Sequence, residues 1–142
     1  MKGKFRIKEL SKAEMLLQFP LLKQLSASAK ENDFRRMLPK MLKYGYRMVG
    51  VYNGKKCIGI SGFWIGIKLY SDKYLEPDNV VIDKNYRSKG VGKKLFIWLE
   101  KEAKRNGCKI IMLDAYVENF SGHKFYWREG YTARGFHFLK KL

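Results

Sequence analysis

Residues 80–95, VVIDKNYRSKGVGKKL, constrain this chain more than any other stretch. A short apolar run ends in a basic turn that holds Gly90 and Gly92. The turn opens directly into a segment whose apolar residues Val91, Leu95, Leu99 and Ala103 recur every four positions. That pattern predicts strand, glycine turn, helix. The first N–H groups of a helix have no partner inside it, and the helix dipole adds partial positive charge at that end. Glycines at 90 and 92 let the backbone approach an anion with no Cβ in the way, and Arg87, Lys89, Lys93 and Lys94 surround the position with charge. The loop 87–93, with Ser88 and Val91 inside it, is therefore a phosphate-binding candidate. Two familiar phosphate loops are excluded. In a Walker A reading, Arg87 occupies the first glycine position, and Lys94 stands where Ser or Thr should follow the lysine. A dinucleotide G-x-G-x-x-G is excluded by Leu95.

The rest of the chain reads as alternating elements. Phe5-Arg6-Ile7-Lys8 alternates and predicts a first strand. Ser11 and Glu14 form an S-x-x-E capping box ahead of an apolar cluster at 15–25, a helix with a candidate break at Pro20. A second helix is predicted over 31–44, with Met37, Leu38, Met41 and Leu42 on one face and Gly45 as its stop. Residues 46–52 and 57–69 read as two strands joined by the hairpin signal Asn53-Gly54. Residues 79–82 form a short apolar strand, and a helix over 90–105 ends at Gly107. Then come a strand over 109–115, a helix over 119–128 stopped by Gly130, and a last strand over 131–139. The order β-α-α-β-β-β-α-β-α-β argues an α/β (α+β) fold with a mixed sheet and helices packed on it. A length of 142 residues suits one domain, with no linker or repeat in view.

A second constellation follows at the right distance. Asn119, the small residue Gly122 three positions on, Tyr126 four beyond that, and then Gly130-Tyr131 lie one helix and one strand after Gly92. Together with R-x-x-G-x-G at 87–92, this resembles the GNAT superfamily of N-acetyltransferases. The element order is similar along the whole chain. One departure is Gly122, where alanine is usual. The resemblance implies a single N-acetyltransferase domain over 1–142, with a mostly antiparallel central sheet flanked by helices.

It also implies a chemistry. Acetyl-CoA is the co-substrate, and its pyrophosphate lies on Arg87, Ser88, Lys89, Gly90, Val91, Gly92 and Lys93. A backbone N–H from the strand ending at Val81 and Ile82 holds the thioester oxygen. Pantetheine lies beside that strand like an added one. Asn119 and Gly122 line the pantetheine side. Tyr126 protonates the departing thiolate, which is reasonable for a phenol whose pKa lies near that of the thiol. A base must also accept a proton from the amine. Relatives often place a carboxylate just before the signature strand, so Glu76 is the first candidate, ahead of Asp78 and Asp114. His123 and His137 have no partner at metal spacing, so no metal is assigned. Lys124 and Arg128 are candidates for the 3′-phosphate or simply solvated.

Composition bounds the partners. Thirty Lys and Arg against 13 Asp and Glu leave a formal charge of +17, which attracts polyanions. Residues 1–75 hold 16 basic and 5 acidic side chains. An acceptor cleft built there disfavours polycationic acceptors and is compatible with a small amine bearing a carboxylate or phosphate, or with a protein amine. The same charge keeps open a nucleic-acid-associated binding module, although no motif supports one. A protein that binds coenzyme A without catalysis is the other alternative, and a homodimer is compatible with either. Residues 57–67 are the longest weakly polar stretch, far short of the roughly 20 a spanning helix needs. The first ten residues carry no apolar signal core, so the cytoplasm is the default location. Cys57 and Cys108 make no disulfide framework and read as two small buried hydrophobes.

Overall fold

A computed structural model describes residues 4–142. Met1, Lys2 and Gly3, the first part of the stretch read for a signal segment, lie outside the described residues. The chain divides into two compact units, Met1–Met112 and Leu113–Leu142.

The first unit is built on a five-stranded sheet in the order β1-β2-β3-β4-β5. The strands are β1 (Phe5–Glu9), β2 (Arg47–Asn53), β3 (Lys56–Lys68), β4 (Asp72–Ile82) and β5 (Ile110–Ile111). β1 to β4 pair antiparallel, and β5 joins β4 in parallel. The expected class, a mixed and mostly antiparallel sheet with helices against it, is the one observed. The turn between β2 and β3 needs positive φ, and Gly54 supplies it at 61°.

Before β2 the chain forms α1 (Lys12–Leu16), α2 (Phe19–Leu25) and α3 (Glu31–Lys43). The capping box is present: Glu14 N–H donates to Ser11 Oγ at 3.2 Å, and Ser11 N–H to Glu14 Oε1 at 2.9 Å. The stretch over 15–25, read as a helix with a candidate break at Pro20, is broken ahead of that proline into two helices. Pro20 falls in the first turn of α2, where its missing N–H would have no helical partner anyway, so it starts a helix rather than interrupting one. α3 runs through Pro39. One face of the sheet meets these helices: Leu10, Met15, Leu21 and Leu38 bury with Tyr46, Met48, Ile60 and Val81.

The other face carries α4 (Val91–Arg105). Its four-residue apolar stripe is buried, and Trp98 packs edge-on against Phe63 at 5.8 Å. α4 ends in a Schellman motif. Gly107, at φ 75°, donates its N–H to Lys104 O, and Cys108 donates to Ala103 O.

Three of the expected strands need correction. β4 begins at Asp72, not 79, because a proline did not end it. Lys109 N–H donates to Lys73 O and Met112 N–H to Leu75 O, so residues 73 and 75 face β5. Alternation then aims Pro77, with its missing N–H, away from the β3 ladder, where proline is tolerated. The strand over 109–115 shrinks to Ile110–Ile111, because its pairing with β4 ends at Leu75. The last strand over 131–139 is absent: no helix or strand follows α5 (Phe120–Arg128). Its alternation is real, but a period of two gives only a face, and a strand also needs a partner edge. Cys57 and Cys108 are half-buried rather than fully buried.

Candidate functional site

The ladder between β3 and β4 slips once, between Ile60 and Gly62. Two residues of β4, Asn79 and Val80, oppose Ser61 alone. This is a β-bulge, and Asn79 takes φ 56° in it, a conformation that asparagine tolerates better than most residues. Bulges bend a strand and re-aim its backbone groups.

The bulge is held from below. The buried Tyr46 hydroxyl donates to Asn79 Oδ1 at 3.0 Å. Tyr46 packs on Trp64 with centroids 5.0 Å apart, and Trp64 Nε1–H donates to Asp78 Oδ2 at 3.0 Å. A Cβ on Gly62 would overlap the Tyr46 hydroxyl, so that position must be glycine for the tyrosine to reach Asn79. Burial, and next the charge of Asp78, push the Tyr46 phenol up and keep it protonated as a donor. Glu76 is half-buried and opposite Trp64 in the register.

Beyond the bulge, Asp83 N–H donates to Ile58 O across to β3. Two-residue alternation places the Val81 amide on the same side and turns the Ile82 amide to the opposite edge. Pairing with β5 stops at Leu75, so this stretch of β4 offers backbone groups for an added strand.

β4 runs into the glycine turn. Asp83 accepts the Asn85 N–H at 2.9 Å and closes the 3-10 turn Lys84–Tyr86. That bond lowers its carboxyl below the usual range despite its burial, with Lys56 at 3.5 Å as a second cause. Arg87 Nε donates to Ile82 O at 3.2 Å and folds the loop onto the strand end. Ser88 and Gly90 have φ of 60° and 79°. Gly90 is the N-cap of α4, and Lys94 N–H is the first to bond back, to Gly90 O. The amides of Val91, Gly92 and Lys93 precede it, have no acceptor within the helix, and are the groups that an anion could reach there. Lys89 and Lys93 are exposed beside them, with Lys89 over the Tyr86 ring. Lys94 is engaged elsewhere, because its Nζ donates to Phe5 O at 2.7 Å and ties α4 to β1.

In the second unit, Asn119 is the N-cap of α5 and accepts the Gly122 N–H at 3.1 Å. A Cβ on Gly122 would collide with the Asn119 amide, which accounts for glycine there. Tyr126 lies between the rings of Phe125 and Tyr131, at 5.5 and 5.8 Å. Burial pushes its phenol up. Asp114 pairs with His137 at 3.1 Å, and His123 Nε2 lies 2.8 Å from Tyr116 O. Among the described residues no three His, Cys, Asp or Glu gather as metal ligands, and no helix is long and apolar enough to cross a membrane.

The structure thus brings together Val81, Ile82 and residues 87–93 in the first unit, and Asn119, Gly122 and Tyr126 in the second. Tyr46, Trp64 and Gly62 are the residues that sequence reasoning missed as a set. A motif records residues near in sequence, and these meet only where Tyr46, just before β2, packs across β3 and β4.

The model of the Acetyltransferase (GNAT) family matches residues 15–131. An aminoalkylphosphonate N-acetyltransferase of Salmonella typhimurium is 32% identical over 79 residues. That stretch is 56% of this chain and 46% of the relative, so the match spans about half the relative's length. Glucosamine-6-phosphate N-acetyltransferase from Arabidopsis thaliana superposes with a TM-score of 0.75 at 26% identity, covering 96% of this chain and 97% of that one. AAC(6')-Iy in complex with the bisubstrate analogue CoA-S-monomethyl-acetylneamine superposes with a TM-score of 0.81 at 18% identity, covering 97% and 99%, a likeness of fold.

Proposed function

The chain belongs to the GNAT acetyltransferase family, and from that premise we propose that it moves the acetyl group of acetyl-CoA to a primary amine by direct attack. The observation that carries this reading is the run from the β4 bulge through Ile82 into the amide-lined start of α4. It has an outward strand edge at one end and helix-start amides at the other, which suits a thioester arm ending in a pyrophosphate. Residues 1–142 act as one acetyltransferase domain in this proposal.

The pyrophosphate lies against Ser88, Gly90, Val91 and Gly92, with Arg87, Lys89 and Lys93 supplying charge. Alternation favours Ile82 over Val81 as the outward amide, and Val81 serves by its buried side chain. The amine nitrogen attacks the thioester carbon, the C–N bond forms, and the carbonyl oxygen takes the electron pair under the backbone donor. Collapse breaks the C–S bond. The amine gives up one proton, and the leaving thiolate takes one. Tyr126 is the proposed donor to sulfur; its raised pKa keeps the phenol protonated until the thiolate forms. Glu76 is the proposed acceptor of the amine proton. Asn119, with its oxygen committed to the cap, retains its amide N–H groups for pantetheine.

The charge makeup supports an acceptor that is not a polycation. The five acidic residues before position 76 are all engaged: Glu9 with Arg47, Glu14 with Lys8, Glu31 with Arg35, Asp33 with Arg36, and Asp72 with the Lys73 amide. Two measurements test the whole reading: the melting temperature with and without acetyl-CoA, and thiol release from acetyl-CoA across a panel of amines. A rise in the first and amine-dependent release in the second are expected. Failure of both, with DNA bound in a steeply salt-dependent way, would establish the basic binding module instead.

A further inference from the structure

Beside the bulge lies a cleft of about 290 Å³ between α2, α3 and the loop that joins them. Phe19, Leu22, Leu25, Phe34 and Met37 line it together with Asn79. Phe19 and Phe34 stack at 6.3 Å with 26° between their planes. Each helix buries another side chain in the core, Leu21 from α2 and Leu38 from α3. Leu25 and Met37 stay 48% and 40% exposed at the cleft. Large apolar side chains kept wet around a concave site mark it for an apolar ligand.

The charged groups there are few. Asp33 is paired with Arg36 at 3.3 Å, and Lys30 is the single cation of the lining. A phosphate or phosphonate is ordinarily held by several donors or a bidentate guanidinium, and a polyamine by unpaired carboxylates. The cleft supplies neither set. Its volume lies at the small end of ligand sites.

We propose that the acceptor is a small primary amine on an apolar, aromatic or branched-alkyl body. The body rests on Phe19, Leu22, Phe34 and Met37, and the amine reaches the Asn79 end of β4. This rests on the acetyltransferase reading and names its substrate class. Met37 and Phe34 are then specificity-determining residues.

The test measures thiol release from acetyl-CoA with phenylethylamine, aminoethylphosphonate, spermidine and a lysine-bearing peptide. Phenylethylamine is expected to lead in kcat/KM by about tenfold or more, the scale on which an apolar pocket discriminates. Met37→Lys is expected to remove that lead while acetyl-CoA raises the melting temperature as it does in the wild type. A lead for the phosphonate, spermidine or the peptide overturns the proposal, and so does a Met37→Lys variant with the wild-type preference. In those cases amine-dependent release still stands. If no amine accelerates release and acetyl-CoA does not stabilise the fold, the acetyltransferase reading falls as well.

Discussion

Two tyrosines, 80 positions apart in sequence, have different parts in the proposed reaction. Tyr126 has a phenol raised by burial, which suits a group that must hold its proton until a thiolate appears. Removing the hydroxyl in Tyr126→Phe is expected to lower acetyl transfer by about a hundredfold with acetyl-CoA affinity nearly intact. An unchanged rate in single-turnover thiol release removes Tyr126 from the chemistry. Tyr46 acts at one remove, since its hydroxyl holds the side chain of the bulge residue Asn79. Tyr46→Phe leaves that oxygen without its donor, a loss of about 1 kcal/mol or about fivefold in kcat. KM for acetyl-CoA is expected to hold, because the glycine turn is untouched. A kcat equal to wild type would make Tyr46 a packing residue only.

Between elements, the joint of β1, β2 and α4 turns on one arginine. Arg47 donates to both oxygens of Glu9, at 2.9 and 2.5 Å, and to Oε1 of Glu102 at 2.7 Å. Its guanidinium also lies 4.8 Å from the Phe63 ring. Glu102 is only 3% exposed, so its carboxylate has little water to replace a lost partner. The hydrogen bonds to Glu9 raise the Arg47 pKa above its usual value, against its partial burial. Arg47→Met is expected to destabilise the fold by about 3 kcal/mol, the scale for breaking a buried pair from one side. Arg105 also pairs with Glu102, and Asn106 Nδ2 donates to Glu102 Oε1 at 2.9 Å. Urea unfolding checks the prediction, and a loss under 1 kcal/mol (about the value of an exposed pair) would show that these two already satisfy Glu102.

Across the chain, the charge of +17 and the scarcity of carboxylates make acid sensitivity informative. The Lys8 ammonium, followed by the Ser11 amide, holds Glu14 at about 2 in the folded chain against an ordinary 4.5. Asp83 is lowered too, first by the Asn85 amide. A carboxylate with a depressed folded pKa contributes stability that is complete above its unfolded pKa and is lost as pH falls toward the folded one. The melting temperature is therefore expected to fall as pH drops from 4.5 toward 2. Glu14→Gln should flatten that slope, and an unaltered slope would show that the Lys8 contact contributes nothing. Cys57, pushed up to about 11 chiefly by burial, is expected to stay a thiol throughout this range.

The glycine turn, the capping box at Ser11, the hairpin at Asn53-Gly54 and the helix from Asn119 were legible in the sequence, because each is set by residues within a few positions of one another. Local sterics, cap hydrogen bonds and positive φ leave marks that a linear reading can find. The same holds for the family pattern in residues 87–92 and 119–131. The full length of β4, the short pairing of β5 and the bulge at Asn79 were not legible. Pro77 argues against a strand until the neighbouring ladder shows which edge its missing N–H faces. The network of Tyr46, Gly62, Trp64 and Asn79 and the apolar cleft beside it depend on register and packing between elements distant in sequence. No local signal specifies those pairings, so only the tertiary structure decided them.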